Sequence, residues 1–268
     1  MCTVTILPRP GGLRLLTNRD ESRRRSEAIP PAIRDVPHDE SDSHATRAIC
    51  PTDADAGGTW VAVNTAGVVF TLLNRNLPAP PPTPPQPVDP SATAPPPAAP
   101  SSKVSGRRSR GEIIPALLDC ESAEAAIERL PAFHPKDFSA FRMVVADEKS
   151  IVVVRTDTLS MAHERCTLGT KPSMFTSSGL GDHLVDPPRR ALFNRWFTGD
   201  PASWPERQDA FHRHRWEDRS ELSVCMSRSD ARTVSLTAVE VAPGGVGMWY
   251  HAGPPCEPAE DTLLELPR

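Results

Sequence analysis

The stretch MCTVTILPRPGGLRLLTNRDE, residues 1–21, determines how the rest of the sequence is interpreted. Residues 4–6 and 13–17 are short runs of apolar and β-branched side chains, which are typical of strands. The Pro-Arg-Pro-Gly-Gly segment between them is typical of a turn. The sequence therefore predicts a β-hairpin whose second strand ends in the polar cluster NRDE at 18–21.

Cys2 directly follows the initiator methionine. Because Met1 is normally removed when a small residue follows it, Cys2 could become the first residue, with a thiol and a free α-amino group on one carbon. An α-amino group has a pKa of about 8, close enough to neutrality to accept a proton from the thiol. Most free cysteines are instead small buried hydrophobic residues, and the position of Cys2 alone favours that role.

Length and charge limit the classes of function. The 268 residues suffice for one large domain or two small ones. A net charge of -4 and a pI near 6.1 argue against nucleic-acid binding through general electrostatics, so we expect no nucleic-acid partner. Two short basic runs, at 23–25 and 107–110, are interpreted as solvated or ligand-facing charge.

The six cysteines show no Cys-x-x-Cys pattern, and no pair of histidines has metal-ligand spacing. His212 and His214 have a spacing that better suits a solvated helix face. The N-terminus does not resemble a secretory signal, and no apolar run approaches the ~18 residues of a membrane span. We therefore expect a cytoplasmic protein with reduced, mostly buried thiols, no membrane span, no metal and no cofactor.

The first half of the chain predicts a second hairpin at 57–74, where two apolar runs flank an Asn-Thr-Ala-Gly turn. Residues 22–56 are interpreted as loop, with a short strand near Ile33. Residues 78–105 are rich in Pro, Ala, Ser and Thr and cannot form a core. They are interpreted as a disordered surface insertion within one domain spanning 1–268, and a domain linker is the alternative.

The second half predicts helices separated by further strands. Ser122 is a suitable N-cap and Pro131 a stop for a helix between them. The other elements expected here are helical residues 113–118, a hairpin at 141–154, a strand at 174–179, a helix at 187–197, and strands at 233–241 and 247–251, the last of them before a polar tail. This order of elements favours an α+β fold of antiparallel sheets with helices outside them.

Several motifs resemble the NRDE family, also called the transport and Golgi organisation protein 2 family. They are MCTV at 1–4, NRDE at 18–21, GGTWVAVN at 57–64 and LNR at 73–75, with SRGE at 109–112 and RTV at 232–234 also fitting. The resemblance implies an N-terminal-nucleophile hydrolase fold, a four-layer αββα sandwich. By motif, its characterised relatives are choloylglycine hydrolases, penicillin V acylases and acid-ceramidase-like amidases, which cleave linear, non-peptide amides with an N-terminal cysteine.

The resemblance also implies site residues. Cys2 matches the nucleophile and its α-amino group the base, while Asn74 matches an oxyanion-hole asparagine. The remaining matches are Arg19, Asp20 and Arg232 as catalytic residues, with Asn18, Glu21, Ser177 and Ser178 as substrate-binding residues. The sequence leaves open which of Asp20 and Glu21 faces the Cys2 amine. Taken alone, the Arg-Asp pair more often forms a structural ion pair, and an asparagine at a strand end often stabilises a turn.

Two functions are compatible with these residues. One is a cysteine amidohydrolase that acts through an acyl-enzyme on a small-molecule or lipid-like amide. The other is a binding or trafficking protein that keeps the fold and pocket without turnover. A third, weaker hypothesis is a redox role for the Cys2 thiol. The substrate and the oligomeric state stay open at this stage.

Overall fold

The computed structural model describes residues 2–37, 46–77, 107–157 and 159–268. The strands are β1 (Cys2–Arg9), β2 (Gly12–Ser22), β3 (Ile29–Asp35), β4 (Arg47–Thr52), β5 (Val61–Asn64), β6 (Val69–Asn74), β7 (Phe141–Ala146), β8 (Ser150–Thr156), β9 (Met161–Thr167), β10 (Ser173–Thr176), β11 (Ala231–Ala242), β12 (Gly245–His251) and β13 (Asp261–Pro267). The α-helices are α1 (Ala123–Arg129), α2 (Asp182–Trp196) and α3 (Trp204–Arg213).

The strands form two antiparallel sheets. Sheet A has the strand order β10-β1-β2-β11-β12-β13, and sheet B runs from β3 to β9 in sequence order. The expected N-terminal hairpin is confirmed, since β1 pairs with β2 in a register that places Cys2 opposite Arg19. Its turn depends on Gly11, whose φ of 68° is one that glycine adopts without steric cost.

The main core lies between the two sheets. Alternate side chains of β1, among them Val4 and Ile6, pack there against Val61 and Val63 of β5. Because successive side chains in a strand point to opposite faces, the residues between them point out of sheet A towards its helices. By the same alternation, the side chains at positions 18–21 of β2 point in turn towards the helices and towards sheet B.

Helices cover the outer faces. On sheet B, α1 and the short helical turns before it pack through Ile113, Leu117 and Ile127 onto β6 and β7 side chains such as Phe70 and Phe141. On sheet A, α2 and α3 meet β10 through a smaller cluster centred on Leu192 and Phe211. The structure therefore has the order helix, sheet, sheet, helix, and it confirms the expected αββα sandwich.

Several elements differ from expectation. The region 22–56, interpreted as loop, contains the expected strand near Ile33 and also β4, which pairs with β3 and β5 on either side of it in sequence. The tail after residue 251 contains β13, a half-exposed strand that β12 holds in register. Helix α2, expected to begin at Pro187, begins at Asp182 instead. Pro187 and Pro188 therefore lie inside the helix, beyond its first turn. The expected insertion at 78–105 lies outside the described residues.

The expected helix at 122–130 is confirmed, and Ser122 accepts a hydrogen bond from the Ala125 amide at 3.1 Å. The cysteines were only partly predicted, because Cys166 and Cys256 are exposed while the others are buried. Among the described residues, no helix is long and apolar enough to cross a membrane.

His212 was wrongly expected on a solvated helix face. It is fully buried under sheet A, where its ring nitrogens lie 2.7 Å from Thr5 Oγ1 and 2.9 Å from Asn18 Oδ1. Burial, helped by the positive charges of Arg14 and Arg213, lowers the pKa of His212 to about 3. The ring is therefore neutral at physiological pH and joins α3 to β1 and β2.

This burial makes stability depend on pH. Between the usual histidine pKa of about 6.5 and the folded pKa of about 3, His212 binds a proton in the unfolded chain but not in the folded one. The free energy of unfolding therefore falls as the pH drops through this range. Between pH 7 and pH 5 we expect the free energy of unfolding to fall by about 2 kcal/mol more in the natural protein than in His212→Gln. Urea denaturation at both pH values measures this difference. Equal losses in the two proteins would show that His212 titrates normally.

Candidate active site

A cavity of about 370 Å³ lies where the ends of β1 and β2 meet the end of β6. Sheet A contributes Cys2, Arg19 and Glu21 to its wall, and sheet B contributes Leu73 and Asn74. The cavity is thus built from both sheets, at the edge of the core between them.

Cys2 is the first residue of β1 and is 4 % exposed. Its backbone nitrogen donates a hydrogen bond to Ser177 Oγ at 3.2 Å, and the Ser177 amide donates to the Cys2 carbonyl at 2.9 Å. Ser177 directly follows β10, so the strand next to β1 fixes both backbone groups of Cys2. The nitrogen held by Ser177 is the atom that becomes a free α-amine when Met1 is removed.

Burial raises the pKa of the Cys2 thiol above its ordinary value of 9.0, and the Asp20 and Glu21 carboxylates add to the effect. With Met1 retained, the rate at which iodoacetamide alkylates Cys2 should therefore still increase as the pH passes 9, because only the thiolate reacts. Mass spectrometry of the Cys2 peptide measures this rate. A plateau below pH 8 would show that positive charge dominates the thiol's environment.

The Arg19 side chain is held on three sides. Its Nη2 donates to Asp53 Oδ2 at 2.6 Å and lies 3.4 Å from Glu21 Oε1, while the guanidinium lies 4.1 Å from the centre of the Trp60 ring. Arg25 Nη2 reaches the same Asp53 oxygen at 2.7 Å. These contacts fix a positive charge in the wall of the cavity, on the strand paired with that of Cys2.

Asp20 and Glu21 point to opposite faces of β2. Glu21 lines the cavity together with Arg19. Asp20 is buried on the helix side, where it accepts a hydrogen bond from Thr233 Oγ1 at 2.6 Å. Burial raises the pKa of Asp20, and the Arg189 guanidinium opposes this shift most strongly. Of the two carboxylates, Glu21 is the one that faces the cavity.

Arg189 of α2 is a buried residue that sequence reasoning missed. Its Nη1 donates to Thr3 Oγ1 and to Thr176 Oγ1, both at 2.8 Å. Its other nitrogens donate to the Leu222 and Ser223 carbonyls at 2.9 and 2.6 Å. Thr3 and Thr176 directly adjoin Cys2 and Ser177, so Arg189 supports the strand of Cys2 from the helix side.

Asn74, the last residue of β6, is partly buried and lines the cavity as expected. Ser178 is oriented by its neighbours, since its amide donates to Asp182 Oδ1 at 2.9 Å and its carbonyl accepts from Asn76 Nδ2 at 2.5 Å. Neither Ser177 nor Ser178 is part of the cavity wall formed by the described residues. Ser177 acts on the site only indirectly, through its hydrogen bond with the Cys2 backbone nitrogen.

Two expected site residues lie away from the cavity. The Asn18 amide donates to the His212 and Val224 carbonyls, both at 2.9 Å, on the helix side of β2. Arg232 is half-buried in β11 opposite Glu21, and it is not part of the cavity wall formed by the described residues. The Asn18 side chain therefore connects sheet A to the helix layer and does not face the cavity.

Two motifs that are distant in sequence meet at the cavity. Gly58 packs against Gly111, where a Cβ on Gly58 would lie 2.4 Å from the Gly111 carbonyl carbon. The Thr59 amide donates to the Gly111 carbonyl at 3.1 Å. Ser109 and Glu112 form a capping box around this turn. The close backbone contact requires glycine at position 58. The turn held in this way places Arg110 in the cavity wall.

Asp53, Trp60 and Arg110 are site residues that sequence reasoning did not single out. Asp53 follows β4 and accepts hydrogen bonds from the amides of Asp55 and Ala56 at 3.1 and 3.0 Å, which is ordinary turn chemistry. The signals available for Trp60 and Arg110 were the GGTWVAVN and SRGE motifs themselves. Among the described residues, no group of three or more His, Cys, Asp or Glu side chains could hold a metal ion.

Comparison with solved structures supports the architecture. Two variant structures of conjugated bile acid hydrolase from Clostridium perfringens superpose with a TM-score of 0.50 each, at 13 % and 12 % identity, covering 99 % of this chain and 92 % of theirs. A Caenorhabditis elegans N-acylethanolamine-hydrolyzing acid amidase ortholog gives a TM-score of 0.49 at 13 % identity, covering 96 % of this chain and 94 % of its own. At 12 and 13 % identity, the likeness to the two bile acid hydrolase structures shows the fold alone, which is that of N-terminal-nucleophile hydrolases.

The comparison with curated protein sequences gives no match. The model of the family described as Transport and Golgi organisation 2 matches residues 1–187, which include the hairpin, the cavity-lining motifs and the residues that hold Cys2. The chain belongs to the Transport and Golgi organisation 2 family.

Proposed function

We propose that the protein is a cysteine amidohydrolase that cleaves a linear, non-peptide amide through an acyl-enzyme after Met1 is removed. The free Cys2 amine takes the thiol proton, and the sulfur attacks the amide carbonyl carbon. The carbon–nitrogen bond then breaks as the ammonium returns its proton to the leaving amine. Water finally hydrolyses the thioester and regenerates the thiol.

One observation carries the proposal. The Cys2 side chain lines the cavity while its backbone nitrogen is held by Ser177 Oγ at 3.2 Å. An amine at that position shares its carbon with the thiol-bearing side chain, so base and nucleophile stay close without a further residue. A cysteine with a purely packing role would not need to line a cavity.

Other residues take supporting roles. Asn74, at the cavity wall contributed by sheet B, would donate its amide N–H to the developing oxyanion. Arg19 lowers the thiol pKa by its charge, against the dominant effect of burial. Asp20 acts from the helix side as a positioning residue for the Cys2 end of β1. Arg232 lies opposite Glu21 on the next strand, and we assign it no contact with the reacting atoms.

Acyl-enzyme trapping tests this reaction. The processed protein is incubated with a panel of N-acyl amides of varied chain length and quenched with acid, and the Cys2 peptide is analysed by mass spectrometry. The proposal predicts an acyl adduct on Cys2 that disappears as free acid is released. A ligand that is retained and recovered intact, without adduct or hydrolysis, would indicate the alternative function of a binding protein.

A further inference from the structure

The charge of the cavity wall is unbalanced. Among the described residues, five arginines line it, namely Arg19, Arg25, Arg107, Arg108 and Arg110, against the two carboxylates Glu21 and Asp53. Both carboxylates already face Arg19 and Arg25, at 2.6 to 3.9 Å. Of the remaining three arginines, Arg107 and Arg108 are exposed on the rim, and Arg110 is partly buried.

Arg108 and Arg110 differ in what satisfies them. Arg108 lies on the exposed rim, where it pairs with Glu112 at 2.9 Å and covers the Phe138 ring at 5.3 Å. Arg110 is partly buried, and its Nη1 donates to the Ala140 carbonyl at 3.1 Å. No carboxylate among the described residues forms an ion pair with Arg110. Its guanidinium keeps several donors available in the wall of the cavity.

Burial makes the charged form of the Arg110 side chain less favourable than it is in water. Burial lowers the pKa of Arg110, and the more distant Glu21 carboxylate and Cys2 thiol oppose this shift only in part. A buried cation without a counter-charge is destabilising, and a bound anion removes that cost. Guanidinium groups also match the geometry of carboxylates and phosphates.

The position of Arg110 is fixed by backbone. The Ser109 capping box, the Gly58–Gly111 contact and the hydrogen bond from Thr59 to Gly111 hold the turn that carries it. This preorganisation suits a binding group, because little side-chain order is lost when a ligand arrives. Cys2 lines the same cavity, so one molecule can contact both Arg110 and Cys2.

We propose that Arg110 binds an anionic substituent of the substrate, a carboxylate or a phosphate, so that the amide attacked by Cys2 carries negative charge close to its scissile bond. This inference rests on the proposed function and narrows its substrate class to charged amides. Neutral lipid amides of the same acyl length would be poor substrates.

The first test compares the alkylation of Cys2 by iodoacetate and by iodoacetamide, which differ in charge. In both reactions the thiolate displaces iodide, so any change in the thiol pKa cancels in the ratio of the two rates. We expect this ratio to fall at least about tenfold in Arg110→Met, as loss of one charged hydrogen bond implies. It should be unchanged in Arg155→Met, whose partly exposed arginine pairs with Glu164 at 2.9 Å and does not line the cavity. An unchanged ratio in Arg110→Met would overturn the proposal.

The second test needs no reaction at Cys2. Calorimetry measures the binding of N-octanoylglycine, N-octanoylglycinamide and N-octanoyl-phosphoethanolamine to the Cys2→Ala protein. We expect at least one charged amide to bind about tenfold more tightly than the neutral one, and this preference to vanish when Arg110 is also replaced. The two charged amides distinguish carboxylate from phosphate. Equal affinities, or no binding of either charged amide, would overturn the proposal.

Folding of the variants is checked by thermal melting. If Arg110→Met does not fold, Arg110→Gln removes the charge and keeps a polar side chain with an N–H donor, with the same expected losses. The two proposals fail separately. If charged and neutral amides are hydrolysed at equal rates, the anion site is contradicted and the amidohydrolase function is supported. If binding shows an Arg110-dependent preference for charged amides but no amide is hydrolysed, the amidohydrolase function is contradicted and the anion site is supported.

Discussion

Replacing Cys2 with alanine is expected to reduce amide hydrolysis by at least about 10³-fold, because no other thiol lines the cavity of the described structure. The substitution removes one sulfur atom and keeps the hydrogen bond from the backbone nitrogen to Ser177. Activity should therefore disappear while the fold persists. Release of free acid from the best N-acyl amide measures the effect, with circular dichroism to verify folding.

Cys50→Ala is the matched control for this prediction. Cys50 is a buried cysteine of β4, 2 % exposed, whose side chain packs in the core beneath the helices of sheet B. Each substitution creates a small cavity that costs about 1 kcal/mol, so their effects on stability should be similar. Only Cys2→Ala should lose activity. Equal activity in the two variants would exclude Cys2 as the nucleophile.

Replacing Arg189 with methionine is expected to lower the free energy of unfolding by about 3–5 kcal/mol, because it removes several hydrogen bonds from a buried charged group and leaves their acceptors unpaired. The variant loses the hydrogen bonds to Thr3 and Thr176 at 2.8 Å and those to two carbonyls near residue 222. It also removes the charge that most opposes the burial of Asp20. Urea denaturation at pH 7 measures the loss.

Arg190→Met provides the comparison on the same helix. Arg190 pairs with Asp186 one turn earlier at 2.7 Å, and both side chains are 40 % exposed. Exposed pairs of this kind contribute little, so we expect a change of about 0.5 kcal/mol or less. Similar losses in the two variants would mean that Arg189 is not the buried electrostatic link that its contacts indicate.

The N-terminal hairpin shows how much of the site could be predicted from sequence. The period of two along β2 places Arg19 and Glu21 on one face and Asn18 and Asp20 on the other. It does not say which face meets the cavity, because that depends on sheet B. The order Asn-Arg-Asp-Glu therefore could not separate the residues of the cavity from those that join the helices.

Tertiary packing explains the elements that were missed. Strand β4 is short and polar at its ends, and it is stabilised by pairing with its neighbours in sequence, β3 and β5. His212 lies among polar residues in sequence, yet α3 buries it between Thr5 and Asn18, about two hundred positions earlier. Arg189 is similar, since its hydrogen bonds go to three separate segments, at Thr3, Thr176 and residues 222–223. The contacts of His212 and Arg189 have no local signature.

The two loop motifs illustrate the intermediate case. GGTWVAVN and SRGE were recognisable as family features, but nothing in either sequence shows that Gly58 and Gly111 touch. The contact is between backbones, and it leaves no complementary side-chain pattern. Its consequence, the presentation of Arg110 to the cavity of Cys2, could be found only from the structure.

The proposed mechanism depends on a free amine at Cys2, so the most direct measurement is the intact mass and N-terminal sequence of the catalytically active protein. We expect a mass that lacks Met1 and a first sequencing cycle that yields Cys2. A protein that hydrolyses amides while retaining Met1 would contradict the role of the Cys2 nitrogen as the base.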